Sequence, residues 1–354
     1  MSLSESDILG WSRVFTLLLG MGWAAWMDHK ERRVKNEHWM VWIKPALFLW
    51  ALDLMVQGAD WTIYLTASAA VAYASGAVLG RPTINDIRAG SRIDQVVSVW
   101  YIVSIFGLVY GAYSYQNVHP LDVLLGNEQG LGALWWSTFA VIPLIFIIDL
   151  AWRLRMLHGG ADAKALMWVA ILLPSWSSLP LLYPEHTESA LFALPPAFAL
   201  LMWGGFSFLL IPIVLLSLNL MRGNVRSVRD LSMAWHALYI PRTEVLDRHV
   251  WLLTSLVEKP DGQREIYHSK RAPSKSPSKE EVVGKLNELE QEGVTHVWVS
   301  QKLPLLVFLF PAILPLCLFG DPMAILMPAF GLSLNERCAY HAPLRSTFFG
   351  RRPL

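Results

Sequence analysis

Four aspartates stand inside or at the edge of long apolar stretches of this 354-residue chain: Asp28, Asp53, Asp149 and Asp162. A charged carboxylate at the centre of a bilayer costs about 2.5–3.5 kcal/mol on insertion scales, so each needs a reason. Two carboxylates a few ångströms apart cannot both ionise and therefore share a proton. One then serves as the base that activates water, and the other donates to a substrate carbonyl oxygen. This chemistry needs no metal and no nucleotide, and the chain offers neither a Gly-rich phosphate loop nor a His-rich zinc spacing. No cofactor, no metal and no nucleic-acid partner is expected. The plainer reading of a membrane-edge Asp is that it caps a helix or pairs with Arg, and Asp162, just before an apolar run, suits an N-cap.

The neighbours of two aspartates argue for more than capping. Asp162 follows His158-Gly159-Gly160-Ala161, and a plain cap requires no glycine pair, whereas close backbone approach does. After Asp28, the residues Lys30, Arg32, Val34 and Asn36 recur at alternate positions before Trp39 opens the next apolar run. Asp149 has two readings, a third member of the site or an i,i+4 partner for Arg153, of which the ion pair is favoured. Lys164 either lowers an aspartate pKa or snorkels to the interface. His29 and His158 read as polar rim, and Asp321 with Pro322 as a turn or kink.

The elements that must position these residues are membrane helices. Hydrophobic residues make up 54% of the chain and charged ones 16%, against about 25% in a soluble domain. Seventeen Trp point the same way, because the indole suits the boundary between lipid and water. Eight apolar stretches are long enough to span, with approximate limits 8–27, 39–57, 61–80, 96–115, 132–152, 164–183, 190–221 and 303–330. The loops after the first, third and fifth hold Lys30, Arg32, Arg33 and Lys35, then Arg81, Arg88 and Arg92, then Arg153 and Arg155, whereas the alternate loops hold no Lys or Arg. The positive-inside rule puts the basic loops in the cytoplasm and the N-terminus outside. The first eight residues lack a positive n-region, so no cleaved signal peptide is expected, and two cysteines make no disulfide framework.

Three segments follow. Residues 1–221 form a transmembrane catalytic domain of about seven helices; 222–302 a cytoplasmic soluble domain; 303–354 a last helix and tail. In the soluble domain His249–Glu258 reads as a strand, Glu280–Glu292 as an amphipathic helix and Thr295–Ser300 as a strand, with 264–279 a flexible loop rich in Ser, Pro and Lys. The fold class expected is an all-α polytopic membrane protein with a small α+β domain before its last span. The last span either crosses once or re-enters at Gly320-Asp321-Pro322.

Taken together, the two motifs resemble those of the type IV prepilin peptidases, most closely the archaeal preflagellin and prepilin peptidases, which are GxGD aspartic membrane proteases. Asp28, Lys30, Arg32, Val34 and Asn36 match the family pattern D-x-K-x-R-x-I-P-N, with Lys35 in place of the proline. Gly159-Gly160-Ala161-Asp162 matches the second motif, with Ala161 where strict GxGD has glycine. Arg248–Trp251, Val297–Val299 into Pro304, and Gly320-Asp321 look like the C-terminal region of the archaeal group. The resemblance implies Asp28 and Asp162 as the catalytic pair, supported by Gly159, Gly160, Lys164, Asp149, Lys30, Arg32 and Asn36. It also implies pilin-like or archaellin-like precursors with a short basic leader as substrates, cut at the cytoplasmic face, besides membrane lipid as the surroundings. The competing class is a proton- or cation-coupled transporter using membrane carboxylates, for which inverted repeats and midplane carboxylates would speak. No repeat is visible, and three of the four aspartates fall at one face.

Overall fold

The computed structural model describes residues 5–83, 85, 88, 91–157, 159–180, 194–258, 263–271, 273 and 277–329. The chain is mainly helical and forms two compact units, one from the residues up to Gly204 together with those from Leu309, the other from Gly205–Phe308.

The first unit begins with four long helices: α1 (Glu5–Glu31), α2 (Asn36–Val56), α3 (Trp61–Leu79) and α4 (Arg92–Ser114). After the short α5 (Pro120–Leu124) come α6 (Leu131–Arg153), α7 (Gly160–Leu172) and α8 (Pro196–Leu209). Among the described residues six helices are long and apolar enough to cross a membrane, the last running over Pro196–Met221, as a multi-pass membrane protein requires. Their outer faces carry large bare apolar side chains such as Phe15, Phe48, Ile102 and Phe106. A surface of this kind suits lipid and not water.

The sixth expected span, 164–183, is cut short. α7 ends at Leu172 and is followed by a 3₁₀ turn at Trp176–Ser178. Pro174 explains the stop, since the residue before a proline is driven out of the helical region, and Leu173 sits at φ −125°, ψ 71°. Thirteen residues rise only about 20 Å, less than the hydrocarbon thickness. From Ala165 to Leu172 every residue is buried, so α7 is apolar all round because it is enclosed by other helices. It is a core helix on which α1, α2, α3 and α6 pack.

The last expected span, 303–330, is also broken, into α12 (Leu306–Phe319) and α13 (Pro322–Ala329). Gly320 takes φ +68°, and the fully buried Asp321 accepts from the N–H groups of Met323 and Leu194 at 3.0 and 2.9 Å. Asp321 is thus a helix cap, in line with the turn expected there. The outer loop Pro184–Ser189 and the tail beyond 329 lie outside the described residues.

The second unit holds α9 (Ile211–Met221), α10 (Val228–Ala234), β1 (Leu238–Pro241), β2 (Val250–Leu252), β3 (Thr254–Glu258), β4 (Arg264–His268), α11 (Lys279–Gln291) and β5 (His296–Gln301). An antiparallel sheet of order β1-β5-β2 packs Leu238, Ile240, Val297 and Val299 against Leu286 and Leu289 of α11. The expected single strand from His249 is split at Leu253, whose N–H bonds to Trp298 O at 2.9 Å. Beyond it the chain leaves the first sheet and pairs in a β3–β4 hairpin.

β1 was not expected, and β4 falls within the expected flexible loop 264–279. The apolar content of Arg264–His268 is low, yet the register sets Arg264 opposite Glu258 and Ile266 opposite Leu256. Cross-strand pairs of this kind stabilise a strand without a buried face.

Candidate functional site

The corner between α1 and α2 carries the first motif. Asp28 lies in the last turn of α1, 7% exposed. Arg32 closes that helix in the left-handed region at φ 57°, its N–H bonded to Asp28 O at 3.1 Å. Glycine usually takes this place, so an arginine there accepts a backbone cost of about 1–2 kcal/mol. The geometry turns Arg32 back toward Asp28, with which it interacts electrostatically, and encloses Nε without a hydrogen-bond partner. Val34 is buried, and Asn36 opens α2.

The first turn of α7 carries the second motif. Gly159 is the N-cap, and Asp162 is therefore the third residue of the helix and not its cap, as its place before an apolar run had suggested. The carboxylate folds back onto the Gly159 backbone N–H, the return half of a capping box. That fold explains the glycine: a Cβ on Gly159 would lie 2.2 Å from Asp162 Oδ2. Gly160 is less constrained, its Cβ position falling 3.1 Å from the Trp152 ring.

Asp28 and Asp162 lie close enough to act on each other electrostatically, although 134 positions separate them. A second bond ties the motifs. Lys164 Nζ donates to Asn36 Oδ1 at 2.8 Å, and Asn36 Nδ2 donates to Val78 O, at the end of α3, at 3.2 Å. Deeper in α7, Trp168 Nε1 donates to Trp42 O at 2.9 Å. Gly20 of α1 lets that ring in, since a Cβ there would lie 2.7 Å from it. An apolar cavity of about 270 Å³, lined by Trp39, Leu47, Val71, Trp100 and Met167, reaches Lys164.

The other candidates fall elsewhere. Asp149, 5% exposed, accepts from Arg81 at 2.9 Å, Arg153 at 3.0 Å and Tyr73 at 3.1 Å, so it has the expected ion pair and a second arginine besides. Asp53 pairs at 2.8 Å with Arg13, a buried cation within α1 whose place in an otherwise apolar run was the available signal for it. Lys30 leans over Trp26, 5.1 Å from the ring centre, and not toward Asp28. His29 is exposed, and His158 lies outside the described residues. Among the described residues no three His, Cys, Asp or Glu side chains converge as a metal site.

Chemically, a buried carboxylate beside a second one on a helix N-terminus can hold a single shared proton. No protein-family model, curated protein or solved structure matches the chain.

Proposed function

We propose that the protein is a membrane aspartic endopeptidase resembling the archaeal preflagellin and prepilin peptidases. It removes the short basic leader of pilin-like or archaellin-like precursors at the cytoplasmic face. The observation that carries this reading is the electrostatic proximity of Asp28 and Asp162, two carboxylates on α1 and α7 that lie 134 positions apart in the chain, with the glycine that the second one requires. The Lys164–Asn36 bond between the same two motifs supports it.

In this reading the ionised carboxylate takes a proton from water as its oxygen attacks the scissile carbonyl. The protonated carboxyl gives its proton to the carbonyl oxygen, and collapse of the tetrahedral diol transfers a proton to the leaving amine. The pair ends with one proton between them, as it began. The basic loops support a cytoplasmic edge for this corner, where water would reach the bond and a basic leader would stay in solution. The apolar cavity lined in part by Lys164 supports this reading as a contact surface for the start of the substrate's apolar segment.

The test is co-expression in membranes with a pilin-type precursor. Cleavage by wild type that is lost in Asp28→Asn and in Asp162→Asn supports the reading. Cleavage by both variants rejects the pair, and no cleavage by wild type over a panel of precursors moves the question to ion transport in vesicles.

A further inference from the structure

Away from the dyad, α3, α4 and α6 leave a groove of about 300 Å³ lined by Ala69, Ile105, Leu108 and Ile142, with Arg81 at one end. Its flank on α4 exposes Ile102, Phe106 and Val109, the kind of surface that faces lipid. At the polar end, Arg81 and Arg153 both bind Asp149, so two positive charges stand beside one negative charge. Each guanidinium has five N–H groups, and the shared carboxylate orients both forks while their side chains remain 47% and 58% exposed. Tyr73 supports the first fork through its ring face, 5.0 Å from the Arg81 guanidinium carbon. Arg81 follows the C-terminal end of α3 and Arg153 is the last residue of α6, where helix dipoles further favour cations.

We infer that this groove is a binding site for one anionic phospholipid, an acyl chain lying along α3 and α4 and the phosphate resting on Arg81 and Arg153. Both halves of the ligand are specified independently. The groove asks for a long apolar chain, and the surplus charge at its end asks for an anion at chain-end distance. The forks suit a phosphate because a planar guanidinium meets its oxygens in pairs. Asp149 has the role of fixing the forks, which accounts for a buried carboxylate that the hydrolytic reading does not use.

The experiment is to reconstitute the full chain in mixed phosphatidylglycerol and phosphatidylcholine vesicles, extract it gently, and measure retained lipid by native mass spectrometry. Wild type is expected to retain phosphatidylglycerol in preference to phosphatidylcholine. Arg153→Gln, which leaves the Arg81–Asp149 pair in place, should weaken that retention about fivefold, the effect of one interfacial cation. Ala69→Leu, which fills the groove without touching a charge, should reduce it as well, and stands as the test if the arginine variant does not fold. Equal retention of the two lipids by wild type overturns the inference, as does unchanged retention in both variants. So does displacement of the lipid by inorganic phosphate alone, which would assign the affinity to the arginines without the groove.

Discussion

The helices of the first unit hold carboxylates in two opposite ways. Asp53 and Asp149 each have an arginine within 3.0 Å, so their charge is offset where it stands. Asp28 and Asp162 have each other, with Arg32 on the flank of Asp28. In the proposed reading the same side chain is a strut in one place and a proton carrier in the other, according to what faces it. The comparison can be broken by exchanging what each carboxylate can do.

The largest effects belong to the unpaired set. Asp28→Asn or Asp162→Asn should lower precursor cleavage by about 10²–10⁴-fold, the range of general acid–base catalysis, while thermal melting in detergent stays at or above that of wild type. Each carboxylate disfavours ionisation of the other and Asn cannot ionise, so a stability loss in these variants would put them with the struts. Asp53→Asn should show the reverse, unfolding more easily by about 3–5 kcal/mol, because Arg13 is 1% exposed and would be left as a lone buried cation. The double replacement Arg13→Met with Asp53→Leu should recover most of that loss. A melt unchanged by Asp53→Asn would remove the distinction.

Much of the candidate pair was legible in the sequence because its signals are local. A glycine pair three and two positions before an aspartate is visible in four letters, and the alternate polar positions after Asp28 in nine. The strut partners were less visible where the ladder is long. Arg153 lies one helical turn from Asp149 and was foreseen, but Arg81 is 68 positions away and Arg13 is 40 from Asp53. Only packing brings such pairs together. The span limits suffered from a related blindness: hydropathy counts 164–183 as one apolar run, whereas Pro174 and enclosure by neighbours make α7 a buried helix of 13 residues. In the second unit β4 was hidden by its charges, since its stabilising partners are on β3 and not within its own five residues.

The comparison is sharpened by positions that hold no charge. Gly159→Ala puts a methyl group 2.2 Å from Asp162 Oδ2, so the carboxylate must leave the Gly159 N–H and turn away from Asp28. A displacement of about 1 Å at a reacting group costs on the order of 10²-fold in rate, and that is the expected loss of cleavage. Gly160→Ala meets only the Trp152 ring at 3.1 Å and should cost less. The order of these two variants, measured side by side on one precursor, is the readout. Equal activity would mean that the folded-back carboxylate is not the reactive arrangement.

The smallest effect lies in the second unit and concerns pH. His268 on β4 bonds through Nδ1 to Thr254 Oγ1 at 3.1 Å, and that hydroxyl also accepts from the Trp298 N–H at 2.9 Å. Burial, and then the nearby Arg229, hold the His268 pKa below its ordinary value, with Asp230 opposing them. The folded state therefore prefers the neutral ring, and the unfolded chain binds the proton more readily. Between the lowered folded value and the ordinary value near 6.5, the unfolded state carries more protons, so stability rises with pH across that window. The contribution is complete above about pH 6.5 and is lost as the pH falls below it. Thermal melts of wild type should thus decline from pH 7 toward pH 5 more steeply than those of His268→Gln, which keeps a hydrogen-bonding side chain but does not titrate. Parallel declines would show that the acid sensitivity comes from other groups.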